Sequence, residues 1–457
     1  MQSSKITVQV LGSSIHDESV IWVSDTLLKK FKMSANQPVT LQFGAFRMQV
    51  KMVSMVKGDG IRLQESTARK MGLQTTVQLR MQYKASSHSL ILGPLIGVLV
   101  SRSYSQFPDK PFGTITSFAK ELVDACQSQG ALVYFFTPNE VGFNTNYVQG
   151  WSYSDSWYKT AFPSPDVLHN RLTTRKLENK PSVQHFMREV KQRHNTSVFN
   201  EKFLNKTEVF QALQHDHTLL KYLPESYLFK NFTMLKSMCS KHSVVFLKPI
   251  RGSLGKGIIR ITKMSDNSYQ CHFTNVNGAR KQNFPKLLNL FTAISGKMKT
   301  TRYQIQQGLH LMEVGKRPVD FRALVQKNLE GKWEITSVVA RIAGSHHFVS
   351  NIARGGTLST VKEAVAKSNL TPSNRSDLYN KMHKAALDIA AGVDAQIPAH
   401  FGELGIDLAV DVTGKVWLLE VNSKPSKNDN TQLNDTKIRP SVRRMVQYAR
   451  YLTGFTR

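Results

Sequence analysis

Gly405-Ile406-Asp407-Leu408-Ala409-Val410-Asp411 and Val416-Trp417-Leu418-Leu419-Glu420-Val421-Asn422 are two apolar runs joined through the short turn Thr413-Gly414-Lys415. The pattern predicts the two neighbouring strands of a hairpin. Glu420 and Asn422 are two apart and therefore share a face. Asp407 lies on the adjacent strand. Three hard oxygen donors converging on one face of a sheet suit Mg²⁺ held together with the phosphates of a nucleotide. Burying them there unpaired would be unfavourable.

A second signal lies earlier. Val244-Val245-Phe246-Leu247-Lys248-Pro249 reads as a strand carrying one lysine. Arg251-Gly252-Ser253-Leu254-Gly255-Lys256-Gly257 follows, and Ile258-Ile259-Arg260-Ile261 reads as the next strand. A glycine-rich turn between strands lets backbone N–H groups close over phosphates. It is not a P-loop, because no Gly-x4-Gly-Lys-Ser/Thr leads into a helix. A Rossmann fingerprint fails for the same reason: a strand comes next.

The ordered set of strand lysine, glycine-rich loop and late Asp…Glu-x-Asn resembles the ATP-grasp superfamily. Asn205-Lys206-Thr207-Glu208-Val209-Phe210, Tyr222-Leu223-Pro224-Glu225, Ile305-Gln306-Gln307-Gly308-Leu309, Arg317-Pro318-Val319-Asp320-Phe321-Arg322 and Asn351-Ile352-Ala353-Arg354-Gly355-Gly356 resemble its YheC/YheD branch. Members of that branch are named as endospore coat-associated proteins of spore-forming bacilli, and the length fits the longer, YheD-like type. The resemblance covers roughly residues 90 to 455.

The resemblance implies roles. Lys248 would hold nucleotide phosphates, Lys206 the α-phosphate side, and Lys256 the β- and γ-phosphates under a loop containing Gly252, Ser253, Gly255 and Gly257. Lys206 opens a helix after the cap residue Asn205, a place that does not favour a cation for its own sake. Gln306, Gln307 and Leu309 would form the inter-lobe hinge, where backbone groups read adenine. Asp407, Glu420 and Asn422 would hold Mg²⁺, or Mn²⁺ in its place. Arg322, Arg341 and Arg354 are candidates to neutralise transferred phosphoryl charge. The plainer role of Arg322 is a buried salt bridge with Asp320, two residues away on one strand face. His346 and His347 read as solvated loop residues.

The implied chemistry is carboxylate activation: ATP phosphorylates a carboxylate, and an amine or thiol attacks the acyl phosphate. No protein nucleophile is needed, and no nucleophile elbow or Cys–His pairing is present. Some peptide-ligating relatives carry an arginine two residues before the first metal carboxylate, where this chain has Gly405; Arg354 or Arg341 is the substitute for binding the acceptor's carboxylate. The alternatives are a coat-associated structural protein that binds nucleotide without turnover, and a small-molecule kinase.

A chain of 457 residues exceeds one core. Its longest apolar run, Leu90 to Val100, is too short to span a bilayer. The start Met-Gln-Ser-Ser-Lys-Ile carries no hydrophobic signal region. Cys126, Cys239 and Cys271 form neither a metal spacing nor a disulfide framework, as in a reducing cytoplasm. These features point to the cytoplasm, the mother cell's under the resemblance, with association to the spore coat. The charge of +29 is large, but no nucleic-acid module or stacking stripe accompanies it. A solvated basic surface, adhesion to an anionic polymer and contact with spore-coat proteins are the readings left. The acid and acceptor substrates stay unnamed.

The expected architecture is α/β and α+β multidomain. Residues 1–85 hold a repeated strand–helix–strand unit, read as a double-psi-like β-barrel that folds alone as an adaptor. After the polar bridge Tyr83–Ser89, residues 90–198 form a doubly wound α/β pre-ATP-grasp domain that opens on a strand Ile91–Val100. Residues 199–457 form the ATP-grasp module, its first lobe holding Lys206 and Lys248, its second beginning near Arg302.

Overall fold

A computed structural model describes residues 2–12, 17–56, 58–142, 145–250, 257–275, 278–344, 356–426 and 438–456. The first unit is a closed barrel. Its strands are β1 (Ser4–Leu11), β2 (Val20–Ser24), β3 (Pro38–Phe43), β4 (Phe46–Met55), β5 (Ile61–Gln64), β6 (Val77–Lys84) and β7 (Ser89–Gly93), in the spatial order β1-β5-β2-β4-β3-β7-β6. The expected repeat is present: β2 leads through helix Asp25–Phe31 to β3, and β5 through helix Glu65–Lys70 to β6.

Two expectations need correction. The single strand Ile91–Val100 is divided: β7 closes the barrel, and β8 (Leu95–Leu99) starts the next sheet. Gly93 adopts φ +149° and Pro94 has no N–H for a ladder, so one strand cannot run through them. The barrel therefore extends beyond residue 85. Nor does it close its own core. Leu41, Met81 and Leu92 share one buried cluster with Leu95, Tyr134, Phe136 and Phe162 of the following unit. A Cβ on Gly72 would collide with the Phe162 ring.

The second sheet adds β9 (Leu132–Phe136), β10 (Tyr147–Tyr153), β11 (Trp157–Pro163), β12 (Val167–Asn170) and β13 (Ser197–Phe199), in the order β11-β10-β9-β8-β12-β13. β8, β9, β12 and β13 run parallel, with β10–β11 an antiparallel hairpin at one edge. Its strands are apolar on both faces, as a covered parallel sheet requires. Leu132, Tyr134 and Phe136 face the barrel and helix Pro181–His194; Val133 and Phe135 face helices Thr116–Gln129 and Pro440–Leu452.

Two further sheets make the lobes. The first contains β14 (Ser226–Leu228), β15 (Val244–Pro249), β16 (Ile259–Lys263), β17 (Tyr269–Asn275), β18 (Gly278–Phe284) and β19 (Tyr303–Gln307), ordered β14-β19-β15-β16-β17-β18. The second contains β20 (Glu313–Val314), β21 (Arg317–Lys327), β22 (Trp333–Ile342), β23 (Thr357–Ser359), β24 (Glu403–Val410) and β25 (Val416–Asn422). β19 belongs to the first lobe, so the second begins at Glu313 rather than near Arg302. The helix opened by Lys206 also changes lobe. Its Val209, Phe210 and Leu213 pack in the second lobe's core with Leu219, Ala386 and Ile389.

Candidate active site

Strand alternation decides what each lobe presents to the cleft. In the first lobe, Val245, Leu247, Ile259 and Ile261 pack against helices Phe232–Lys241 and Leu287–Thr300. Phe246, Lys248 and Gln306 therefore lie on the other face. The Lys248 Nζ donates to Gln306 Oε1. Burial and the neighbouring Lys206 push Lys248 down to about 7, against the pull of Glu420. The three groups named there come from both lobes, so Lys248 stands at the cleft.

In the second lobe, Leu404, Ile406 and Leu408 of β24 face the core. Asp407 is directly opposite Glu420, and Gly405 opposite Asn422. A β-bulge between Asp407 and Leu408 shifts the pairing, so that Leu408 meets Leu418. Leu418 and Val421 both lie in the core although they are three apart, and Glu420 and Asn422 turn to the cleft. Without the bulge, Glu420 would share the core face with Leu418. Lys206, held at the start of its helix by the Asn205 cap (Oδ1 to Glu208 N, 2.8 Å), reaches Glu420 at 3.5 Å.

The arginines are arranged differently from expectation. Arg322 is opposite Asp407 across β21–β24 and pairs with it, Nη2 to Oδ2 at 2.9 Å. Its partner is not Asp320. Arg341, opposite Asp320 on β22, donates to Asp320 Oδ1 at 2.5 Å and reaches Asp407 Oδ2 at 3.1 Å. Burial alone would raise the Asp407 carboxyl, but Arg322 and Arg341 hold it below the usual carboxylate range. Arg341 opposes its own burial and is raised by Asp407 and Asp320. Arg322 also fills the space beside Gly405: its Cδ and Nη1 lie 3.5 Å from where a Cβ would stand.

Of the residues expected at a hinge, Gln306 and Gln307 end β19 and Leu309 follows two residues later, on the connection to the second lobe. Gln307 N–H donates to Glu225 O at 2.9 Å and Gly308 N–H to Val244 O at 2.7 Å. Val244 leaves no room for a Cβ on Gly308. Gly257 adopts φ +72°, the left-handed region that favours glycine. Gly252, Ser253, Gly255, Lys256 and Arg354 lie outside the described residues.

Sequence reasoning missed the support beneath Asn422. Lys424 is buried against Glu178, and its burial pushes it down to about 8 despite that carboxylate. Arg171 Nη1 donates to Pro425 O at 2.9 Å, and Ser423 Oγ to Lys202 O at 2.8 Å. These contacts join the segments that follow β12 and β13 to the residues just after Asn422. They pair residues far apart in sequence, and no local pattern marks them.

The donor set fits a divalent cation bound with phosphates. Asp407, Glu420 and Asn422 share a face, Glu420 is partly exposed, and two lysines stand beside them. Asp407 already accepts from two guanidinium groups, yet a carboxylate offers about four acceptor positions.

Residues 195–452 match the family model described as YheC/D-like ATP-grasp. The chain is 27% identical over 368 residues to the endospore coat-associated protein YheD of Bacillus subtilis, covering 80% of each chain. It is 22% identical over 320 residues to the endospore coat-associated protein YheC of the same organism, covering 68% of this chain and 85% of that one. Among solved structures it is similar to a D-alanyl-alanine synthetase A from Vibrio cholerae, at 11% identity and a TM-score of 0.45, covering 80% of this chain and 98% of that one. Among the described residues no helix is long and apolar enough to cross a membrane. With more than half of its length matched by the family model, the chain belongs to the YheC/D-like ATP-grasp family.

Proposed function

We propose that the protein is an ATP- and Mg²⁺-dependent ligase that joins a carboxylate to an amine or thiol through an acyl phosphate. The observation that carries this reading is the convergence of Lys206, Lys248, Asp407 and Glu420 from both lobes on one cleft. Asp407, Glu420 and Asn422 would hold the metal, which would supply charge neutralisation at the transferred phosphoryl group. Lys206 and Lys248 would bind and orient the phosphates. Arg322 and Arg341 would fix the Asp407 carboxylate and leave guanidinium edges toward the cleft. The substrate carboxylate takes the γ-phosphoryl group of ATP and releases ADP. The amine or thiol then forms the new bond to carbonyl carbon as the C–O bond to phosphate breaks, releasing phosphate and a proton. The relatives' names extend the proposal to a role at the spore coat or in sporulation.

One observation favours a second reading, nucleotide binding without turnover. Both Asp407 oxygens are engaged by arginines, Oδ1 by Arg322 and Oδ2 by Arg322 and Arg341, an arrangement that also suits a purely structural ion cluster.

The test supplies the protein with ATP, Mg²⁺ and pools of carboxylates and amines. A ligase releases ADP and free phosphate together only when both substrates are present. Calorimetry should show ATP affinity that falls sharply without Mg²⁺. Undiminished Mg²⁺-dependent ATP binding by a Glu420→Ala/Asn422→Ala variant would remove the metal assignment, and ATP binding with no product from any pool would leave the second reading.

A further inference from the structure

Besides Lys248, the cleft face of the first-lobe sheet carries a row of basic side chains, two of them cationic at neutral pH. Phe246 is directly opposite Arg260, Arg260 opposite His272, and His272 opposite Lys281. Val245, Leu247, Ile259, Ile261 and Cys271 fill the core on the other face of these strands, so the row points away from the helices. Like charges placed directly opposite across a sheet repel. His272 registers that repulsion: burial, then Arg260 and Lys281, hold it below an ordinary histidine. The Arg260 Nε is buried with no hydrogen-bond partner among the described residues. Burial lowers Arg260, and the acid that opposes this is Glu313, across the cleft on β20. Lys281 is exposed at the far end of the row.

A buried guanidinium N–H without an acceptor is costly, and adjacent cations gain when an anion lies across them. Neighbouring strands are about 4.8 Å apart, so Arg260 to Lys281 spans roughly 10 Å. A small anion bridges at most neighbouring members of the row; an extended chain bearing several carboxylates touches them all. Resting on the ligase reading, in which a carboxylate is consumed, we propose that Arg260, His272 and Lys281 form a subsite for the carboxylates of an acidic, peptide-like substrate chain.

The probe is labelled poly-L-glutamate, titrated against the full-length protein by fluorescence anisotropy at fixed ionic strength. Arg260→Gln/Lys281→Gln is expected to weaken binding roughly tenfold or more and to lower its salt dependence. Arg260→Lys keeps the charge and should retain most of the binding. Lys286→Gln/Lys299→Gln, at exposed positions beside the same lobe's outer helix, removes as much charge and should leave binding unchanged. Melting temperatures confirm that each variant is folded. Wild-type protein that ignores poly-L-glutamate, a double variant that binds it normally, or equal losses in the control pair would each overturn the subsite. Capture of inorganic polyphosphate through Arg260 and Lys281 without capture of polyglutamate would overturn the carboxylate assignment. Polyglutamate binding through the row in a protein that does not bind ATP would uphold the subsite and defeat the ligase reading instead.

Discussion

Lys248 shows how far one side chain's role can be read from its neighbours in the chain. An apolar run with a single lysine before Pro249 requires that lysine to leave the core, and alternation then aims it at the cleft. The structure adds what spacing cannot: the bond to Gln306, and Lys206 and Glu420 as charged neighbours. Lys248→Ala should therefore weaken ATP binding by about 1.5–3 kcal/mol, roughly ten- to hundredfold, without lowering the melting temperature. A large loss of stability at unchanged affinity would make it a structural lysine. Its lowered pKa of about 7 adds a pH test. Phosphates favour the charged form, so wild-type ATP affinity should fall as pH rises through about 7, with proton uptake on binding that Lys248→Ala lacks. The unfolded chain binds the extra proton between about 7 and 10.4, so the cost of burying this lysine falls and stability rises with pH across that window. The arginine partners were less legible. Asp320 and Arg322 share a strand face, which suggests a mutual salt bridge, but each instead pairs across strands, with Arg341 and Asp407. Register between distant strands decided this, and one strand's sequence does not contain it.

The β24–β25 hairpin was readable as an element, from two apolar runs around Thr413-Gly414-Lys415. Its bulge was not. Val416-Trp417-Leu418-Leu419-Glu420 shows no break in pattern, and a regular strand through it would send Leu418 and Glu420 to the same side. The extra residue, Leu419, has no partner in the register. It separates a buried Leu418 from a cleft-facing Glu420. Deleting Leu419 should restore regular pairing and place Glu420 directly after Leu418, so that strand alternation by itself keeps Leu418 and Val421 in the core and Glu420 and Asn422 at the cleft. The expected result is a variant that stays folded and keeps Mg²⁺-dependent ATP binding. A folded variant that loses Mg²⁺-dependent ATP binding would show that the bulge's local geometry, beyond simple alternation, aims these residues. The same kind of limit applied at Gly93-Pro94. The run from Leu90 to Val100 is continuous in hydropathy, and only backbone chemistry divides it between two sheets.

Across the whole molecule, the order of units was legible from motif order and repeat pattern, while their interdependence was not. Strand–helix–strand repeats identify a barrel but not that its core continues past it. Tyr134 and Phe162 stack beneath it with ring centroids 4.6 Å apart, in the same buried cluster as Leu41 and Leu92. Asp166 lies at this joint, where its Oδ2 accepts from Leu95 N at 2.8 Å. Burial pushes its carboxyl up to about 6 against that bond and the nearby Arg47. Between its ordinary value near 3.9 and about 6 the folded form binds more protons, so stability should fall as pH rises through that window. Asp166→Asn should flatten this slope, measured by denaturant unfolding at each pH; an unchanged slope would place its origin elsewhere. The adaptor reading makes the opposite claim to the shared core, and truncation separates them. A chain of residues 94–457 would expose Leu95, Tyr134, Phe136 and Phe162 at once, an apolar face far too continuous for a soluble monomer. It should aggregate or melt well below the full chain, and the intact protein should lose barrel and second sheet in one thermal transition. If residues 94–457 instead stay monomeric, melt at the full-length temperature and bind ATP with full affinity, the barrel is a detachable module and the continuous core contributes nothing that the rest of the chain needs.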